Sequence, residues 1–157
     1  MKLKLIALFS LSCLTLSVMP RQQDPYRALL QQRIDKTPGV IEFDDLLKNI
    51  PGLKPQQLIM EVIKRPTLIM FYQTDCTACD DMHKVLQQLD RHVKQIHIPV
   101  RVMMVNAAKY KEIGRLFGVT RTPKFAIYKQ GMLIKGSEFY ARKELHELIH
   151  HVRICLQ

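Results

Sequence analysis

The sequence lacks a cysteine framework, a basic tract, a long apolar run and any low-complexity segment, and each absence narrows what the chain can be. Its four cysteines fall to three if the N-terminal segment is removed, leaving Cys76, Cys79 and Cys155. An odd number with one tight pair is unlike the even-numbered frameworks of disulfide scaffolds and looks like a redox motif plus a spare. Lysine and arginine total 24 against 14 acids, a net +10, yet they are scattered over the chain with no run and no interleaved aromatic residues. That argues against nucleic-acid binding. The basic surplus suits loose attraction to acidic partners or to an anionic membrane surface. With few glycines, 47% hydrophobic and 24% charged residues in 157 positions, there is material for a single ordinary core but hardly two.

The most apolar stretch is at the beginning. Residues 1–19 open with Lys2 and Lys4 and continue as LIALFSLSCLTLSV, the charged start and short greasy middle of a secretory signal. The run is too short for a comfortable membrane span. Thr15 and Ser17 supply small residues ahead of a cut after Ser17. Cys13 after Ser12 opens a second reading, a lipid-anchored N-terminus of the bacterial kind, although Ser10 stands where an aliphatic residue is usual. The expected address is periplasmic or otherwise exported.

The chain is organised around residues 67–79, TLIMFYQTDCTAC. Thr67 to Tyr72 is a β-branched, aromatic and apolar run behind the breaker Pro66, which reads as a buried strand. From Cys76 the period changes. Met82, Val85, Leu86, Leu89, Val93 and Ile96 recur at steps of three and four, the apolar stripe of a helix. Cys76 therefore falls at a helix N-terminus, where unpaired N–H groups and the helix dipole favour a thiolate. Cys79, one turn on, is placed to close a disulfide with it. The chemistry suggested is thiol–disulfide exchange.

Residues 20–38 are polar with a short helical pulse at Tyr26, Leu29, Leu30 and Ile34, and read as an N-terminal extension to a domain over 39–157. Val40 to Phe43 suggests a strand, and Asp44 or Asp45 a helix start. Pro55 opens another helix that ends before Pro66. Ile98 to Val105 reads as a second buried strand, and Asn106 as the cap of a helix stopped by Gly118. Lys124 to Tyr128 reads as a strand paired through a turn at Gln130-Gly131 with Met132 to Lys135, and a last helix starts near Ala141. The expected architecture is α/β, a central mixed sheet with helices on both faces.

Cys76-Thr77-Ala78-Cys79 behind a buried strand, GVTRTPKFAIYKQG over 118–131 and a terminal amphipathic helix together resemble the thioredoxin superfamily over about residues 40–155. The resemblance implies a thioredoxin-like three-layer sandwich. It assigns Pro123 as a cis-proline packed beside the cysteines and Thr122 as a substrate contact, with Thr77 and Ala78 in the same contact surface. It also implies a mechanism in which Cys76 forms a mixed disulfide with a partner protein's cysteine and Cys79 resolves it, with no metal or organic cofactor.

The departures are as informative. Asp75 replaces the tryptophan that precedes the first cysteine in thioredoxin proper, and Thr77-Ala78 replace Gly-Pro. Met70 occupies the position of a buried carboxylate. No proline kinks the helix at Lys84, and Phe139 stands near a usual glycine. They point to a specialised exported oxidoreductase. Asp75, Asp80 and Asp81 surround the pair and oppose a thiolate by like charge, unless the Asp75 side chain caps the helix. Two other readings remain open. One is a thioredoxin-like binding module of an envelope secretion or conjugation assembly, with a structural Cys pair. The other is a metal-delivery protein using Cys76, Cys79 and His83 at i, i+3, i+7. His146, His150 and His151 are expected at a helix C-terminus, where their charge is favourable, and Cys155 as an apolar filler.

Overall fold

The structure, a computed structural model, describes residues 25–157; the expected signal and Cys13 lie outside the described residues. The helical pulse before the domain becomes α1 (Pro25–Asp35), and its Leu30 and Ile34 enter the main core at 3% and 1% exposure. Arg101 ties this helix to the sheet, reaching Asp35, Gln31 Oε1 (3.3 Å) and the Val62 carbonyl (3.2 Å).

Next come β1 (Ile41–Glu42), α2 (Phe43–Asn49), α3 (Pro55–Val62) and β2 (Thr67–Tyr72). The long α4 (Thr77–Gln95) leads to β3 (Arg101–Asn106), α5 (Lys111–Leu116) and β4 (Lys124–Lys129). Two short strands, β5 (Met132–Leu133) and β6 (Phe139–Tyr140), precede α6 (Leu145–Leu156). The sheet runs β1-β3-β2-β4-β5, with β6 also on β4. β1, β3 and β2 are parallel, while β4 runs antiparallel to β2, β5 and β6.

Alternation along the strands divides the core in two. Ile69, Phe71, Met103, Val105 and Ala126 face α1, α2, α3 and α5, whereas Leu68, Met70, Val102, Met104, Phe125 and Ile127 face α4 and α6. Of the expected α4 stripe, Met82, Leu86, Leu89 and Val93 are each 1% exposed or less, whereas Val85 is half-buried and Ile96 is the half-buried C-cap beyond the helix. Burying side chains of this size contributes about 1.5–3 kcal/mol apiece. The three-layer mixed-sheet expectation holds.

Several boundaries differ from expectation. The helix after β3 starts at Lys111 because Asn106 Oδ1 is used in a turn, accepting from Ala108 N and Lys109 N at 3.0 Å each. The last helix begins at Leu145, with a capping box between Glu144 and Glu147, instead of near Ala141. Residues 141–144 are irregular, and Phe139–Tyr140 ahead of them form the unexpected strand β6. At Gln130-Gly131 both residues take positive φ (55° and 81°), as a two-residue hairpin turn between Lys129 and Met132 requires.

Candidate functional site

At the carboxyl end of β2 the chain passes through Gln73 and Thr74 to Asp75, whose φ of +62° turns it into the helix. Cys76, not Asp75, is the N-cap of α4. Its extended backbone lets its carbonyl accept from Cys79 N (2.8 Å) and Asp80 N (3.1 Å), and its Sγ also accepts from Cys79 N at 3.2 Å. The expectation that the Asp75 side chain caps the helix is thus corrected: the sulfur occupies the capping site and receives the N–H directed at it. That donor, with the helix dipole, is what would hold charge on Cys76 as a thiolate.

Cys76 and Cys79 are joined, with S–S 2.11 Å and Cα–Cα 5.2 Å. Cys76 is partly exposed, whereas Cys79 is 2% exposed beneath it in the apolar layer containing Met70, Met82 and Met104. The two sulfurs thus differ sharply in access: one meets a partner at the surface and the other waits in the core. Thr77 is exposed and Ala78 half-buried on the same first turn.

Opposite this turn lies the loop before β4. The Thr122–Pro123 peptide is cis, Pro123 is buried, and Thr122 Oγ1 lies 3.8 Å from Cys76 Sγ. Residues 46 positions apart therefore converge on one sulfur. The loop is secured by Lys124, which is only 3% exposed. Its Nζ donates to the carbonyls of Phe117 (2.8 Å) and Gly118 (3.2 Å) and pairs with Glu138 Oε1 at 2.7 Å. A lysine directly after the X-Pro step, heading the apolar run FAIY, is the one sequence sign of this buried cation.

Beside the loop, the Arg121 guanidinium lies 4.4 Å from the centre of the Tyr140 ring, and Ala141 N donates to the Pro123 carbonyl at 3.4 Å. Phe139 stacks on Phe125 at 4.6 Å and meets His151 edge-on at 5.0 Å, so its ring is engaged in packing. The acidic rim is partly neutralised, because Asp81 pairs with Arg142 at 2.8 Å.

The other candidates are placed elsewhere. His83 has Nε2 3.3 Å from Gln87 Nε2 and 3.9 Å from Glu42 Oε1, and among the described residues no group of three or more His, Cys, Asp or Glu is arranged to hold a metal. None of the three expected C-terminal histidines is in the last turn of α6: His146 lies in the first turn, and His150 and His151 lie mid-helix because the helix starts at Leu145 and runs on to Leu156. His151 contacts the Ser137 carbonyl at 3.0 Å. Cys155 is half-buried, 3.9 Å from His151 Nε2, and burial raises its thiol pKa.

A buried thiol under an exposed one, with an N–H directed at the outer sulfur and a cis-proline loop alongside, can form and break a disulfide with a partner while storing two electrons in the pair. Comparison with known proteins agrees. The thioredoxin family model matches residues 53–153. The thioredoxin-like protein slr0233 of Synechocystis sp. is 28% identical over 74 residues, 47% of this chain and 68% of the relative. Chloroplastic thioredoxin Y2 of Arabidopsis thaliana is 25% identical over 130 residues, 83% of this chain and 67% of the relative. Among solved structures, thioredoxin NaTrxh from Nicotiana alata superposes with TM-score 0.59 at 18% identity, covering 78% of this chain and 97% of that one. Oxidised mitochondrial thioredoxin 3 of Saccharomyces cerevisiae gives 0.55 at 23% identity, covering 63% and 89%. At such identities the structures speak for the fold, and the family match carries the rest: the chain belongs to the thioredoxin family and is a thiol–disulfide oxidoreductase built on Cys76 and Cys79.

Proposed function

We propose that the protein exchanges disulfides with the cysteines of other proteins outside the cytoplasm of a bacterium. The observation that carries the exchange reading is the unequal access of the two sulfurs, Cys76 at the rim and Cys79 at 2% exposure below it. Cys76 forms the mixed disulfide. Cys79 Sγ then attacks Cys76 Sγ, and the partner leaves reduced; the reverse sequence oxidises a dithiol partner. Thr122, Pro123, Thr77 and Ala78 form the surface against which the partner chain lies, with backbone groups at Thr122 available for pairing. Exposed Arg121 beside Thr122 and exposed Asp75 beside Cys76 give that surface charges of both signs. The export reading rests on the composition of residues 1–19.

Expression of Cys79→Ser in a bacterial host, followed by acid quenching and non-reducing electrophoresis, tests the proposal. Mixed disulfides between Cys76 and exported proteins are expected, absent with Cys76→Ser. If Cys79→Ser captures nothing while a tagged chain still assembles with an envelope complex, the pair is structural and the binding-module reading takes over.

A further inference from the structure

Cys79 lies in a layer of methionine, leucine, valine and phenylalanine side chains, where loss of solvation favours the neutral thiol. To attack Cys76 it must act as a thiolate. Resolution therefore needs a proton acceptor on this side of the sheet.

Several titratable groups on the elements that border this layer are already engaged: Asp81 of α4 pairs with Arg142 at 2.8 Å, and the Tyr72 hydroxyl of β2 is held protonated, its pKa raised first by burial. Asp90, three turns beyond Cys79 on α4, is occupied by Lys94 at 2.7 Å. On α6, His151 is held by the Ser137 carbonyl and Cys155 is itself a desolvated thiol. Glu42 of β1 and His83 of α4 face each other across the edge of this layer, Oε1 to Nε2 at 3.9 Å. Glu42 stands opposite Met104 in the β1–β3 register, and Met104 opposite Met70 in the β2–β3 register, so the three share one row of the sheet. Met70 and Met104 belong to the same apolar layer as Cys79. His83 follows Cys79 by four residues, the spacing that brings side chains together on one helix face.

We propose that Glu42, acting through His83, accepts the proton of Cys79 during resolution. This rests on the reading of the cysteine pair as an exchanging one. The proton leaves Cys79 Sγ for the pair, by way of the His83 ring or of water. The freed electron pair on Cys79 Sγ forms the bond to Cys76 Sγ, and the Cys76–partner S–S bond breaks. The partner departs with that bond's electrons as a thiolate, reduced by two electrons, while the cysteine pair is oxidised by two.

The surroundings suit an acceptor. Burial holds the Glu42 carboxyl above its ordinary range, with Asp45 and Asp44 of α2 adding to the rise and His83 and a hydrogen bond from Tyr72 of β2 opposing it. A carboxylate displaced in this direction is a stronger base than a solvated one. A groove of about 470 Å³ lined by Val40, Glu42, His83, Gln87, Asp90 and Arg91 gives the proton a route to solvent.

The test uses the reduced full chain mixed with a self-quenched, dye-labelled peptide disulfide. Release of the first peptide reports attack by Cys76, and the later unimolecular release of the second reports resolution by Cys79. Glu42→Gln is expected to slow the second phase tenfold or more at neutral pH and below, within the range for general acid–base catalysis, and to converge on wild type at alkaline pH, where solvent removes the proton. His83→Asn, at a side chain 44% exposed and so little needed for folding, is expected to change the profile in the same direction. Variants that follow the wild-type profile, or that lose rate equally at every pH, overturn the proposal while leaving the exchange reading intact. A wild type that binds one peptide but shows no second phase overturns both.

Discussion

Thr122 Oγ1 lies 3.8 Å from Cys76 Sγ, which joins the cis-proline loop to the exposed sulfur across 46 residues of sequence. The contact is to a disulfide sulfur here and strengthens when that sulfur becomes an anion, since hydrogen bonds to charged groups contribute about 1.5–3 kcal/mol against about 1 for neutral ones. Thr122→Val, which keeps the shape and removes the donor, is therefore expected to raise the Cys76 thiol pKa by about one unit, equivalent to about 1.4 kcal/mol. Ultraviolet thiolate absorbance against pH, read in a Cys79→Ser background, checks it; an unmoved titration would mean that Thr122 contributes shape alone.

Lys124 is expected to be the main tether of this loop. Lys124→Met leaves the Phe117 and Gly118 carbonyls without their donor and should cost about 1–3 kcal/mol in denaturant unfolding. Glu138→Gln should cost less, because Lys124 keeps both carbonyls and the carboxylate is already 39% exposed. Equal costs would show that the ion pair, and not the capping of α5, holds the loop.

Helix α4 positions both cysteines through its buried stripe. Leu86→Ala, at a site with 0% exposure, is expected to cost about 2–5 kcal/mol of stability. Since residue 86 is seven positions beyond Cys79, the reduction potential of the folded variant should stay close to wild type. A large shift in potential would place the helix packing in the redox chemistry itself.

Asp44 supplies a stability term with a defined pH sense. Lys109, then Tyr110, hold its carboxyl below the usual range, while burial and the bond to Asp44 push the Tyr110 hydroxyl up to about 12. A depressed carboxyl stabilises the fold above its unfolded pKa, and the contribution disappears as pH falls through the lower folded value. Asp44→Asn should thus destabilise by about 1 kcal/mol or less at neutral pH, an exposed-pair magnitude, with the difference from wild type closing below about pH 4. Urea unfolding at the two pH values measures it.

What was legible in the sequence were features carried by neighbouring residues. The apolar run 67–72, the Cys-x-x-Cys at the change of period and the stripe from Met82 to Val93 each announce themselves within a few positions, and the three-layer fold follows from them. Thr122-Pro123 was legible only beside that motif. Less visible was whatever depends on distant chain segments meeting. Lys124 looks like an ordinary polar strand residue until the end of α5 closes over it. Glu42, Tyr72 and His83 come from three elements and carry no joint signal. Strand β6 is two residues long, too short for any alternation, and its identity comes from pairing with Lys124 and Phe125. The helix cap at Cys76 is not legible in the sequence because aspartate is the better intrinsic cap; the left-handed backbone at Asp75 turns it out of that role.

The most direct measurement is the reduction potential of the Cys76–Cys79 pair, by equilibrating the purified protein with glutathione buffers and trapping free thiols. A single two-electron transition near or above the thioredoxin value of about −270 mV is the predicted result, and its position sets the direction of exchange. A pair that remains oxidised well below about −300 mV would be a structural disulfide and would contradict the account.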